Sequence, residues 1–195
     1  DPVAPVPPEA FVVALARLPR LGPGRLRVLL ERHPPAEAWV AVLDGTVDPA
    51  VVVHPGRDRA DTVVRAWTRA ARGIDPEAYW RQHVAAGVGI AVRGSAAFPA
   101  AFDVDDDPPS VLFWQGDLDH LAGARVAIVG TRRSTRYGRD VAEELGRDLA
   151  SAGVAVVSGL AIGIDGAAHA GALAADGAPP IAVVGSGLDH VYPRE

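Results

Sequence analysis

Three apolar runs that each close on glycine constrain this chain more than any other feature: VAIVG at 126–130, VAVVSG at 154–159 and IAVVGSG at 181–187. Each is hydrophobic at successive positions instead of alternating, the pattern of a strand buried on both faces. Helical spacing separates them. Residues 138–151 place Val141, Leu145 and Leu149 on one face, and residues 166–176 form a short, Ala-rich stretch. Strand, helix, strand, helix, strand predicts a Rossmann-like α/β unit, a parallel sheet covered by helices, over residues 124–195. Right-handed crossovers then bring the three glycine-bearing ends to one edge. The region reads as only the first half of such a sheet, so the sheet is expected to be incomplete in this chain.

The chain before that point is organised differently. Residues 1–8 are Pro-rich and read as an extended N-terminus. Residues 9–80 read as a small all-α unit with short loops: Phe11, Val12, Leu15 and Leu18 fall at helical spacing, Leu26, Leu29 and Leu30 line a second helix, and further helices fit 35–43 and 58–72. Residues 81–123 read as a connector with short strands at 88–92 and 111–114, in which Phe113 and Trp114 are expected in the core. The turn from Leu18 to Arg25 resembles a helix–hairpin–helix phosphate turn, but Pro23 removes one of its backbone donors, which favours a packing or oligomerisation role.

Composition excludes several function classes. There is no cysteine, hence no disulfide, thiol nucleophile or thiolate metal site, and the six histidines never fall at ligand spacing. Neither a metal nor a cofactor is expected. No apolar run approaches the ~18–20 residues of a membrane span, and Asp1 to Pro8 lacks the basic start of a signal peptide, so a cytoplasmic location is expected. All 19 basic residues are arginine and the net charge is −5, which argues against indiscriminate nucleic-acid binding. Charge is unevenly placed, however. Residues 103–119 hold six Asp and no Arg, whereas residues 132–139 hold four Arg.

Those arginines fall on the first glycine loop. Open α/β sheets bind ligands at the carboxyl ends of their strands, where glycine admits a close approach and a following helix N-terminus favours an anion. The candidate phosphate-binding residues are therefore Gly130, Thr131, Arg132 and Ser134 in the first loop, Ser158 and Gly159 in the second, and Gly185 and Ser186 in the third. Arg133, Arg136 and Arg139 are further candidates, each also able to pair locally with acids on a solvated helix face. Tyr137 offers a ring to stack on a base or to pack. Asp165 and His169 sit four apart, a spacing open to acid–base work but better explained by a helix cap with a histidine packed beside it. The dinucleotide pattern G-x-G-x-x-G is absent after the first strand, a Walker loop cannot exist without lysine, and Ser158 stands where a ribose-binding acid would end the second strand.

The stretches VAIVGTRRSTRYG, SGLAIGIDGAAHAGAL and IAVVGSGLDHVYP resemble the DprA/Smf family, the DNA-processing proteins of bacterial natural transformation. Upstream, FPAAFDVDDDPPSVLFWQGDL resembles the family's lead-in segment, and the helical unit its sterile-alpha-motif-like domain. The resemblance implies a non-enzymatic, homodimeric protein that binds single-stranded DNA, protects incoming DNA and loads the RecA recombinase. Arg132 would be the principal phosphate contact, with Ser134 and the 158–159 backbone completing the pocket. Ile162 occupies a slot that is often basic in the family, and the resemblance places an F-P-x-R-N-R segment beyond Glu195, where the given residues end. The competing readings are a Rossmann-type N-ribosidic hydrolase of nucleotide monophosphates, whose P-G-G-x-G-T-x-x-E loop is absent, and a module sensing a free nucleotide.

Overall fold

Proline sets where most of the helices begin. In the computed structural model, which describes residues 5–52, 59–102, 104–188 and 190, α1 (Pro8–Ala16), α2 (Pro23–Arg32), α3 (Pro35–Asp44) and α5 (Pro76–Ala85) all start on it. The first helical position needs no backbone donor and suits the fixed φ of proline. The intervening α4 (Ala60–Ala71) is defined by its spacing instead: Val63, Val64, Trp67 and Ala71 are buried along one stripe. Asp75 caps α5 by accepting from the Glu77 and Ala78 amides at 3.0 and 3.1 Å. Gly45, at φ +72°, ends α3 in a left-handed turn that other residues adopt with strain. Residues 1–4, residue 58 of the expected fourth helix and the end of the IAVVGSGLDHVYP motif lie outside the described residues.

The chain divides into units 1–115 and 116–195. In the first, the helices enclose a core around Leu15, Leu29, Val42, Val63 and Trp67. The Trp67 indole N–H donates to the Pro19 carbonyl at 2.8 Å, and Arg25 Nη1 donates to the Arg20 carbonyl at 2.8 Å. These bonds tie the turn after α1 to the bundle, in line with packing as its role. The segment expected as a connector contributes more than that: the second half of α5, then β1 (Gly89–Val92) and β2 (Val111–Trp114), an antiparallel pair with Gly89 opposite Trp114. Val92 and Val111 pack against the helical core, so the strands belong to this unit. Phe113 and Trp114 are half-buried, short of the core position expected. The indole covers Gly89 so closely that a Cβ there would lie 2.2 Å from the ring.

In the second unit β3 (Arg125–Ala127), α6 (Arg136–Ser151), β4 (Ala155–Ser158), α7 (Ile164–Leu173) and β5 (Ile181–Ala182) follow one another. The strands are parallel in the order β3-β4-β5, with Val126 beside Val156 and Val157 beside Ile181. Consecutive strands that are also neighbours, joined by right-handed crossovers, carry both helices on the same face. The expected covering of both faces is therefore not met among the described residues, and Val129 and Val183 remain 76% and 65% exposed.

The buried side of α6 also differs from the expected stripe. Val141 and Leu145 are 43% and 46% exposed, while Ala142, Gly146 and Ala150 are buried. Size decides this more than hydropathy does. The backbones of α6 and α7 nearly touch: a Cβ on Gly146 would meet the Ala168 carbonyl at 2.2 Å, and one on Gly171 would meet the Glu143 carbonyl at 1.9 Å. Only the smallest side chains fit such a seam.

Candidate nucleic-acid interface

Parallel strands that exit at one edge bring their following loops together. The first loop runs from Gly130 to Thr135, between β3 and α6. Thr135 caps α6, its Oγ1 accepting from the Gly138 amide at 3.1 Å, which leaves the first-turn amides of Arg136 and Tyr137 without partners inside the helix. Thr131 Oγ1 accepts from the Arg133 amide at 3.1 Å and tightens the turn. Arg139 Nη1 reaches back to the Ser134 carbonyl at 2.9 Å and its hydroxyl at 3.4 Å, so this arginine braces the loop. Arg136 faces Asp140 at 3.9 Å, an exposed pair of small energetic worth. Arg132 and Arg133 are exposed, and their guanidinium groups make no hydrogen bond or ion pair with any described residue. On a chain of net charge −5 they are a local cationic point beside a helix N-terminus.

The second loop, 159–163, is locked to the first. Gly163 has φ +101°, and a Cβ there would lie 2.4 Å from the Thr131 carbonyl. Next to it the Ile164 amide donates to that same carbonyl at 3.4 Å. A Cβ on Gly130 would strike the Ile164 side chain at 2.6 Å. The decisive group is Asp165, 5% exposed. Its Oδ1 accepts from the Gly130 amide at 3.1 Å and its Oδ2 from the Gly159 amide at 3.2 Å. The helix cap expected of Asp165 is therefore not what forms. Residue Gly163 holds the cap position of α7 with no side-chain bond, and the carboxylate crosslinks two loops instead. A carboxylate sunk in an Ala-rich apolar stretch has to find donors, and that requirement was the available sequence signal.

Of the remaining candidates, the Ser158 hydroxyl, expected to bind phosphate, is turned away from the rim. Ser158 is 3% exposed and its hydroxyl donates to the Ile128 carbonyl at 2.7 Å, inside the sheet. The third loop begins where the Val183 amide bonds the Ser158 carbonyl at 2.9 Å; beyond it Gly185 and Ser186 are exposed, with nothing within 4 Å of a Cβ on Gly185. Thus Gly130, Thr131, Arg132, Arg133, Ser134 and Gly159 gather at one place, and Gly185 and Ser186 follow the adjacent strand at the same end. His169 is 4% exposed and its Nε2 has no partner. Tyr137 stands out from the first turn of α6, 78% exposed. Among the described residues no three His, Asp or Glu side chains are grouped to hold a metal, and no helix is long and apolar enough to cross a membrane.

Residues 89–195, which contain every residue of this rim, match the family of DNA recombination-mediator protein A. The chain belongs to this family. DNA processing protein DprA of Bacillus subtilis is 47% identical over 90 residues, 46% of this chain and 30% of that protein. A putative DprA of Mycobacterium tuberculosis is 37% identical over 177 residues, 87% of this chain and 43% of that protein. The X-ray structure of Streptococcus pneumoniae DprA matches with a TM-score of 0.67 and 25% identity, over 96% of this chain and 60% of that one. The chain thus spans less than half the length of these two sequence relatives. The DprA/Smf resemblance read from the glycine loops is shown, and so is the α/β fold.

Proposed function

We propose that the rim binds the sugar–phosphate backbone of single-stranded DNA, with Arg132 as anchor and Arg133 beside it. The observation that carries this is the pair of exposed guanidinium groups, without a partner among the described residues, just before the N-terminus of α6. Guanidinium groups bind phosphate oxygens through paired donors, and the open first-turn amides of Arg136 and Tyr137 favour the same charge. A single strand is favoured over a duplex because the Tyr137 ring, 78% exposed beside them, is available to an unstacked base. The family to which the chain belongs processes DNA and mediates recombination.

In this reading the protein is a binding protein and no covalent step occurs at the rim. As a homodimer in the cytoplasm it shields the incoming strand and passes it to RecA. Fluorescence titration of oligo-dT against the wild type and Arg132→Ala tests the anchor. One lost phosphate contact weakens binding by about tenfold or more, similarly for unrelated base sequences. Equal affinity of the two proteins at several salt concentrations would discard the site.

A further inference from the structure

Gly130 and Gly159 carry the amides that an anion at this sheet edge would meet first, and both are already bonded to an anion of the protein's own. Asp165 stands on the second residue of α7, 5% exposed, with one oxygen 3.1 Å from the Gly130 nitrogen and the other 3.2 Å from the Gly159 nitrogen. The carboxylate is fixed in place from behind. Gly163 leaves no room for α7 to start elsewhere, since even a Cβ would collide with the Thr131 carbonyl at 2.4 Å. Outside this filled position, Arg132 and Arg133 have no partner among the described residues.

We infer that Asp165 determines which phosphates the rim accepts: it fills the inner anion position, so the rim takes the phosphodiester backbone of a strand and rejects the phosphate monoester of a free nucleotide. This rests on the strand-binding reading and goes further, because it names the class of phosphate and the residue that selects it. A monoester pushed toward the loops would find both amide donors occupied. It carries nearly two negative charges at neutral pH, against one for each diester. Repulsion from a carboxylate in a poorly solvated pocket grows with that charge. Asp165 cannot swing aside cheaply, because leaving would strand a buried charge without hydrogen bonds. A strand has no need to enter, since its phosphates can lie across the arginines outside. Asp165 is thus a positioning residue for the loops and a specificity determinant for the ligand, with no contact to the strand itself.

The test uses Asp165→Ala and Asp165→Asn in the whole chain, with AMP, inorganic phosphate and oligo-dT as probes and circular dichroism to report folding. Asp165→Ala empties the position and frees two amides, so its affinity for AMP and inorganic phosphate rises about tenfold or more, the worth of one charge-assisted hydrogen bond. Asp165→Asn keeps the shape and one acceptor and gains less. A purely structural role would lower stability and oligo-dT affinity and would create no monoester site. Folded variants with no gain in AMP binding therefore overturn the inference. Should both variants unfold, calorimetry on the wild type still decides, because AMP binding beyond an ionic-strength control is excluded if Asp165 fills the site. A wild type that ignores oligo-dT would remove the strand-binding reading, while the monoester result on the variants would still be read on its own.

Discussion

In unit 1–115 the fully buried side chains are large, with Trp67, Leu15, Leu29, Val12 and Val42 among them, whereas in unit 116–195 the buried cluster is mostly Ala142, Ala150, Ala168 and Ala172 around Ile128 and Val156. The first unit is stabilised by apolar area taken out of water. The second is stabilised by how near its backbones come, with glycines at the points of closest approach. The difference matters at the rim. A core of bulky side chains can re-pack when disturbed, but helices whose backbones touch have no slack. Close contact of α7 with α6 fixes the start of α7, and with it the Asp165 carboxylate and both loops that it bonds.

Substitutions break or sharpen that contrast. The largest effect is expected from Trp67→Ala, about 3–5 kcal/mol for removing a fully buried aromatic ring, which also deletes the indole bond to Pro19. Urea unfolding measures the total, and amide exchange shows the loss centred on α4. Gly171→Ala adds one methyl group to the α6–α7 seam and is expected to destabilise by about 3 kcal/mol, with faster exchange in α7. The same change at Gly185, where nothing lies within 4 Å of the new Cβ, should shift stability by less than about 0.5 kcal/mol. A Gly171→Ala protein as stable as Gly185→Ala would show that the seam is not close-packed. His169→Leu replaces a buried ring whose Nε2 has no partner; because an unsatisfied buried polar atom is itself unfavourable by about 1–3 kcal/mol, thermal stability should hold or rise.

The smallest effect is electrostatic and lies in the first unit. The Ala50 amide bonded to Asp48, helped by Arg32, holds that carboxyl below its ordinary value of 3.8. A lowered pKa stabilises the fold above the unfolded value and ceases to do so as pH falls through the folded one. Asp48→Asn should therefore lower the thermal midpoint slightly at pH 6, and the gap to wild type should close as pH drops below 3.8.

What the sequence disclosed follows from the same contrast. The three strands were legible because continuous apolar runs ending in glycine have few other structural meanings, and the arginines of the first loop were legible as charge. The face of α6 was misread because hydropathy ranks Val141 and Leu145 above Ala142 and Gly146, while the seam selects for size. Helix α5 was not recognised, and the boundary expected at 80/81 cuts through it, because PEAYWRQHVA has no buried stripe to give a period. The partners of Asp165 were invisible because Gly130 is 35 residues away and meets it only in the folded sheet.

The most direct test is a titration of isotope-labelled protein with oligo-dT, following the amides of Gly130 and Gly159 and the side chains of Arg132 and Arg133 by NMR. The two amides, held by Asp165, should be protected from exchange in the free protein and little changed on binding, while both guanidinium groups shift. Amides that exchange freely and move on binding, with unaltered arginine signals, would contradict the claim that the strand meets the arginines and that the loop amides are already taken.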